Sequence, residues 1–315
     1  MASGSEQRRL KVKIAQKYYL KSETQDAIAK ELGLSRIKVQ RLLSQCRKEG
    51  IVEIRINDPM LRCLELEDEL KARFGLLDAR VSASPSDSSM LVRDLARVCA
   101  DYFVSLVSEG CVIGTAWGRT VFQMTQFLEP TPVRGVKVVS LLGGLAPSMA
   151  HHPYAVMNRI SDVFGAESHY LVAPALADSP LTRDVFMKEK RIQETLDMAR
   201  NADIVIAGIG DVSEQSTLLL TGYLSQTELE ELVARGAVGE MLTCHFDADG
   251  KLVPSRLSER LVGLKPDELG SVGQVIGVAG GEVKVRAILG ALRARYINVL
   301  VTDEDTARKL IEIGP

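Results

Sequence analysis

The chain has no run of about 18 apolar residues, so a membrane-crossing helix is not expected. Its opening, MASGSEQRRL, lacks the apolar core of a secretory leader, and a cytoplasmic location is the expectation. Cysteine is sparse: Cys46, Cys63, Cys99, Cys111 and Cys244 stand far apart with no CxxC pair, which points to reduced thiols rather than a disulfide frame or a zinc site. Histidine is as scarce. His169 and His245 lie in apolar runs and read as structural, while adjacent side chains at His151-His152 diverge, so no metal centre is expected. No GxSxG elbow occurs, and no serine, histidine and acid set can be placed together, so no catalytic residue is assigned. Leu142, not lysine, leads into Gly143-Gly144, which removes an obvious imine former. There is no Walker loop and no GxGxxG. In GIGD, Ser213 stands at the third glycine position, so a dinucleotide, and any cofactor, is not expected. DADGK resembles the start of a calcium loop, but Lys251 takes a ligand position and the closing glutamate is missing.

Against these absences stands one dense signal. Residues 24–43 read TQDAIAKELGLSRIKVQRLL, two helices joined by a short turn. Ile28, Ala29 and Leu32 face inward on the first helix, and Gly33 supplies a left-handed stop. Thr24 and Gln25 open that helix, and Ser35 caps the next. Val39, Leu42, Leu43 and Cys46 then form one buried stripe, leaving Arg36, Ile37, Lys38, Gln40 and Arg41 outward. Arginine or lysine against guanine and glutamine against adenine are the pairings that major-groove geometry favours. Ile37 either meets a thymine methyl or packs on the preceding helix. With Lys38 rather than an acid three residues after Ser35, amides at the helix start remain for phosphate. An ordinary basic helix pair used for packing has the same outline, but less reason for this outward set.

Charge follows the same division. Residues 1–57 carry 13 Lys and Arg against 6 Asp and Glu, net +7, and the remainder carries 26 against 35, net −9. A basic head suits phosphate, and an acidic body does not wrap nucleic acid. The alternation Ile51, Val52, Glu53, Ile54, Arg55, Ile56 predicts a strand, a wing beside the reading helix with Arg55 toward phosphate or solvent. Residues 58–74 predict a connecting helix, whose Leu64, Leu66 and Leu70 need a partner from their own domain or a second subunit.

From residue 75 to 315 short apolar runs alternate with helical patterns, the pattern of an α/β parallel sheet. Strands are predicted at 112–116, 136–142, 169–174, 204–209, 275–278 and 297–301, and helices at 91–107, 183–200, 225–235 and 283–295. Ligands in such sheets lie beyond the carboxyl ends of the strands, where glycine turns let amides approach an anion. Four turns qualify: Gly114, Thr115, Trp117, Gly118, Arg119 and Thr120 in GTAWGRT; Gly143-Gly144; Gly210-Asp211 in GIGD; and Gly280-Gly281. Trp117 can cover a sugar ring. Asp247 in HFDADG and Lys284 after the last turn are either ligand contacts or a plain hairpin turn and a solvated helix residue.

Taken in order, the helix pair, GTAWGRT, SLLGG, GIGD, HFDADG and VAGGEVK resemble the SorC/DeoR-like family of bacterial sugar-responsive transcriptional regulators over about residues 8 to 313. The resemblance implies a winged helix-turn-helix (1–57), a connecting helix (58–74) and an α/β effector domain related in fold to sugar-phosphate isomerases (75–315). It implies operator DNA as partner, assembly as a homodimer or homotetramer, and a sugar, sugar alcohol or sugar phosphate as effector. It also raises Asp247 and Lys284 to effector contacts. Ala27 and Gln40 depart from the residues common in the family's DNA-reading helices, and the HHPYAV loop has no family pattern. Two other readings fit the residues less closely: a sugar-phosphate-metabolising enzyme carrying a DNA-binding head, and a constitutive DNA binder whose body only oligomerises.

Overall fold

The computed structural model describes residues 4–58, 60–145 and 153–315, so the His151-His152 pair lies outside the described residues. The chain divides into two compact units, residues 1–58 and 59–315.

The first unit is helical. Helix α1 (Gly4–Ala15) runs into a wider π-type turn at residues 16–20, followed by α2 (Gln25–Leu32) and α3 (Arg36–Lys48). Thr24 accepts a hydrogen bond from the Ala27 amide and Ser35 from the Lys38 amide, so each helix of the pair starts on a side-chain cap. Gly33, at φ 63°, turns the chain between them. Ile28, Ala29, Val39, Leu42 and Leu43 close a small core with Ile14 of α1, a helix the sequence reading did not anticipate. The strand expected at 51–56 is absent: none of residues 51–58 belongs to a sheet. A strand needs a neighbour for its amides and carbonyls, and the described part of this unit offers none.

The second unit begins with α4 (Met60–Phe74), which feeds β1 (Asp78–Ser82). Leu66 and Leu70 of α4 join the core of their own unit, while Leu64 is exposed. Glu67, buried on the same face, accepts a hydrogen bond from the Val81 amide of β1 at 2.9 Å. Next come α5 (Leu91–Leu106), β2 (Val112–Thr115), α6 (Arg119–Thr125), β3 (Lys137–Ser140), α7 (Pro153–Phe164) and β4 (Glu167–His169). The expected strand over 169–174 thus stops at its first residue, and beyond it Pro174 makes only an isolated bridge to Gly144. The single helix expected over 183–200 is two, α8 (Pro180–Lys188) and α9 (Lys190–Arg200), broken where Glu189 turns extended.

After β5 (Ile204–Gly208) and β6 (Gly210–Asp211) follow α10 (Thr217–Leu220), α11 (Gln226–Ala234), β7 (Gly239–Met241), β8 (Cys244–Phe246), β9 (Leu252–Val253) and α12 (Arg256–Arg260). The chain ends with β10 (Gln274–Val278), α13 (Val285–Arg293), β11 (Val299–Asp303) and α14 (Glu304–Ile313).

Seven strands form a parallel sheet in the order β1-β11-β10-β5-β2-β3-β4. Alternate residues go to opposite faces: Ile204 and Ile206 enter one core cluster, Val205 and Ala207 the other. Both faces are covered, which is why these strands read as continuous apolar runs. A second, antiparallel sheet, β6-β7-β8-β9, was not foreseen.

Candidate functional site

In the first unit the outward residues of α3 lie as the helical period requires. Arg36, Ile37, Lys38, Gln40 and Arg41 are all exposed. Ile37 is 77% exposed, so it does not pack on the preceding helix and is left for a partner. Arg36 stands 3.6 Å from Asp26 of α2, an exposed pair weak enough to yield to phosphate. Gln25 is half-buried at the start of α2, beside the exposed cap Thr24. The Ser35 hydroxyl takes the Lys38 amide, so that amide is not free for phosphate as expected.

In the second unit the order of strands reverses between β2 and β5: β3 follows on one side, and the later strands stack on the other. Such a switch point opens a crevice beyond the strand ends. A cleft lies there, with Trp117, Gly118, Arg119 and Thr120 after β2, Gly208, Gly210 and Asp211 after β5, and Lys284 after β10. Gly118, at φ 146°, brings its backbone against Gly208, an approach that a left-handed glycine permits. The cleft is partly open to solvent and its inner space is small, about 60 Å³.

The antiparallel sheet forms a further wall. Gly210, Glu240 and His245 are cross-strand partners on β6, β7 and β8, and Glu240 and His245 both line the cleft. Burial pushes the Glu240 carboxyl up to about 7, against the Thr243 amide and the Lys284 ammonium, which favour its charged form. Burial likewise draws Lys284 below its ordinary value, opposed by Asp211 and Glu240 and assisted by Arg119. The Lys284 ammonium donates to the Ile209 carbonyl at 2.7 Å, and the Asp211 carboxylate accepts from the Ser213 amide and hydroxyl. His245 is 2% exposed and burial pushes it down to about 4, so it is neutral at physiological pH. Its Nδ1 and the hydroxyl of Ser216, also in the lining, are buried without a hydrogen-bond partner among the described residues. Unsatisfied groups beside a cleft are costly unless a ligand or water completes them.

The β7–β8 turn is unusual. Leu242 (φ 53°) and Thr243 (φ 64°) are both left-handed without being glycine or asparagine. Each such residue costs about 1–3 kcal/mol, a strain that concentrates at ligand sites. This turn presents the Thr243 amide to Glu240.

Several expected contacts stand elsewhere. A side chain on Gly114 would strike Val205 and Leu141, so this glycine serves packing inside β2, and Thr115 beside it is fully buried. Gly143 abuts the backbone of residues 173–175 and Gly144 the Tyr154 ring. Gly280 lies under the Asp303 carboxylate, and the Gly281 amide already donates to Asp303 and Thr306. Asp247 lies outside the cleft lining: its carboxylate accepts the amides of Asp249 and Lys251, closing the turn between β8 and β9. The acids in the cleft are Asp211 and Glu240, the latter seven residues before Asp247. A signal for it existed, since Glu240 and His245 are polar interruptions of the apolar run 237–246.

A chain that offers DNA a basic helix and offers small molecules a switch-point cleft has the build of a ligand-responsive transcriptional regulator. Comparison with known proteins agrees. A family model described as "Putative sugar-binding domain" matches residues 58–312. The chain is 33% identical over 308 residues to the deoxyribonucleoside regulator of Bacillus subtilis (strain 168), covering 97% of this chain and 98% of that one. It is 33% identical over 311 residues to the sorbitol operon regulator of Klebsiella pneumoniae, covering 96% and 98%. The crystal structure of full-length SorC from that organism matches with a TM-score of 0.75, over 98% of this chain and 100% of that one. This chain belongs to the SorC/DeoR family of transcriptional regulators.

Proposed function

We propose that this regulator controls a carbohydrate or polyol utilisation operon from the cytoplasm, as a homodimer or homotetramer. Its head grips operator DNA through Arg36, Ile37, Lys38, Gln40 and Arg41, with Thr24, Gln25 and Ser35 at the backbone. Its effector is a small polyhydroxy compound, free or phosphorylated. Carrying this reading is the convergence of Arg119, Asp211, Glu240 and Lys284 at one switch point, beside the unpartnered His245 and Ser216. The cations suit a phosphate or other anion, the acids suit sugar hydroxyls, and Trp117 gives an apolar wall. A ligand that prefers one arrangement of the body over another shifts the population toward it. That difference in affinity is what changes the hold on DNA.

The body senses its ligand and does not turn it over. Glu240, with a carboxyl near 7, supplies the observation that favours the enzyme reading, since a base poised there suits isomerisation. The deciding test is operator binding by the full chain, with and without sugars, sugar alcohols and sugar phosphates, with product assayed in parallel. A binding compound is expected to change operator affinity by about 5- to 150-fold. Lys284→Ala is expected to abolish that response while preserving ligand-free operator affinity, and Arg41→Ala to weaken operator binding while preserving ligand-induced stabilisation. Turnover of a bound sugar phosphate, or a panel in which nothing moves affinity or melting temperature, overturns the sensor reading.

A further inference from the structure

Lys17 is 8% exposed, and a lysine that deep is seldom found without partners. Its ammonium donates to the Glu23 carboxylate at 3.0 and 3.3 Å and to the Glu31 carboxylate at 2.7 Å. Bonds to Glu31 and then Glu23 raise Lys17 above its ordinary value, and the bond from Lys17 lowers Glu31, so both groups are held charged at physiological pH. The grip on Glu23 is double, because the Glu23 amide also donates to the Lys17 carbonyl at 3.1 Å. Between these two residues Ser22 sits at φ 54°, a left-handed conformation that a residue other than glycine keeps only where its surroundings hold it. Lys17 itself lies in the π-type turn of residues 16–20, an irregularity that recurs at functional sites. Glu23 precedes the cap Thr24, and Glu31 lies in the last turn of α2. One side chain thus holds α2 near both ends.

We propose that Lys17 is a positioning residue for operator binding, setting the entry to α2 so that Thr24 and Gln25 meet the phosphate backbone. Its ammonium is spent on Glu23 and Glu31 rather than on phosphate. In a helix-turn-helix the first helix crosses the DNA backbone, and a hydrogen bond to phosphate weakens steeply once distance and angle leave a narrow range. Ile28 and Ala29 pack α2 against Val39, Leu42 and Leu43 of α3. Apolar packing is non-directional, so it leaves the turn before α2 free to shift. Directed, charge-assisted bonds from one ammonium remove that freedom. Stability alone is a poor account of the cluster. Desolvating such ions offsets much of their attraction, and an apolar residue of similar volume often serves a core as well or better.

This rests on the assignment of Thr24 and Gln25 to the DNA backbone, and the experiment separates the two. Operator DNA is selected from a random duplex pool with the wild-type full chain, and affinity is measured on it and on an unrelated duplex. Lys17→Met keeps the stem and removes the ammonium. It is expected to weaken binding to both duplexes about tenfold, since phosphate contacts carry no sequence. That variant leaves two carboxylates without their counter-charge, so Lys17→Met with Glu23→Gln and Glu31→Gln is measured beside it. The neutral variant is expected to keep the wild-type melting temperature and still bind about tenfold more weakly. Gln25→Ala is expected to cost about fivefold in the wild type and less than about twofold in the neutral variant, because the contact it removes is already lost. Three results overturn the positioning role: wild-type affinity in the neutral variant, a neutral variant whose head no longer folds, or an equal cost of Gln25→Ala in both backgrounds. If Gln25→Ala costs nothing in the wild type, the assignment of α2 to the backbone fails and takes the proposal with it. If it costs fivefold there while the neutral variant binds as the wild type does, only the role of Lys17 falls.

Discussion

At the scale of single residues, Glu240 carries the sharpest consequence. Its carboxyl is held near 7 in the fold against 4.5 for the free group, so between those values the folded chain keeps a proton that the unfolded chain releases. Stability from this group therefore falls as pH rises from about 4.5 to 7, and the full cost is present above 7. Glu240→Gln removes the ionisation, and it is expected to stabilise the body by about 1–3 kcal/mol at pH 8 and by almost nothing at pH 4, read by urea unfolding. An equal gain at both pH values would mean that the carboxylate is already solvated. The outward residues of α3 were legible because helical period alone decides their face. Asp247 was not, because DADG has the same spacing whether its carboxylate meets a ligand or its own turn. Gly281 shows the matching limit for glycine loops: the letters do not say whether an amide is free, and this one is bonded to Asp303 and Thr306.

Among elements, α4 belongs energetically to the body that follows it. Leu70 is fully buried there and Leu64 is 49% exposed. Leu70→Ala should lower the stability of the body by about 2–5 kcal/mol, whereas Leu64→Ala should stay within about 0.5 kcal/mol. Equal losses in urea unfolding would show that Leu64 is covered by another surface in solution. The long parallel strands were readable from apolar runs, since burial on both faces leaves little else. Strands of two or three residues, such as β6 and β9, are too short for alternation to show, so the sheet that delivers Glu240 went unread. Residues 51–56 failed in the opposite way: the pattern was right for a strand, but pattern does not supply the neighbour.

For the whole molecule, the near-neutral total conceals a head of +7 and a body of −9. Operator binding should therefore be strongly salt-dependent: about a thousandfold weaker at 200 mM than at 50 mM salt if paired heads neutralise six or more phosphates. A shallow dependence in a titration over that range would move the burden of recognition away from the basic helix. The strand order decides the other end of the device, since the reversal between β2 and β5 places the cleft with Arg119, Asp211 and Lys284 beyond those strand ends. That sheet also has two rims, and neither invites addition. At one rim the outward Val81 amide is already held by Glu67, and the other rim is β4, only three residues long. A protein with an unsatisfied, apolar segment elsewhere in its chain runs a risk of threading it into a neighbour's sheet and polymerising without end. Here the carboxylate of Glu67 acts as a stopper, occupying an edge amide that an added strand would otherwise need.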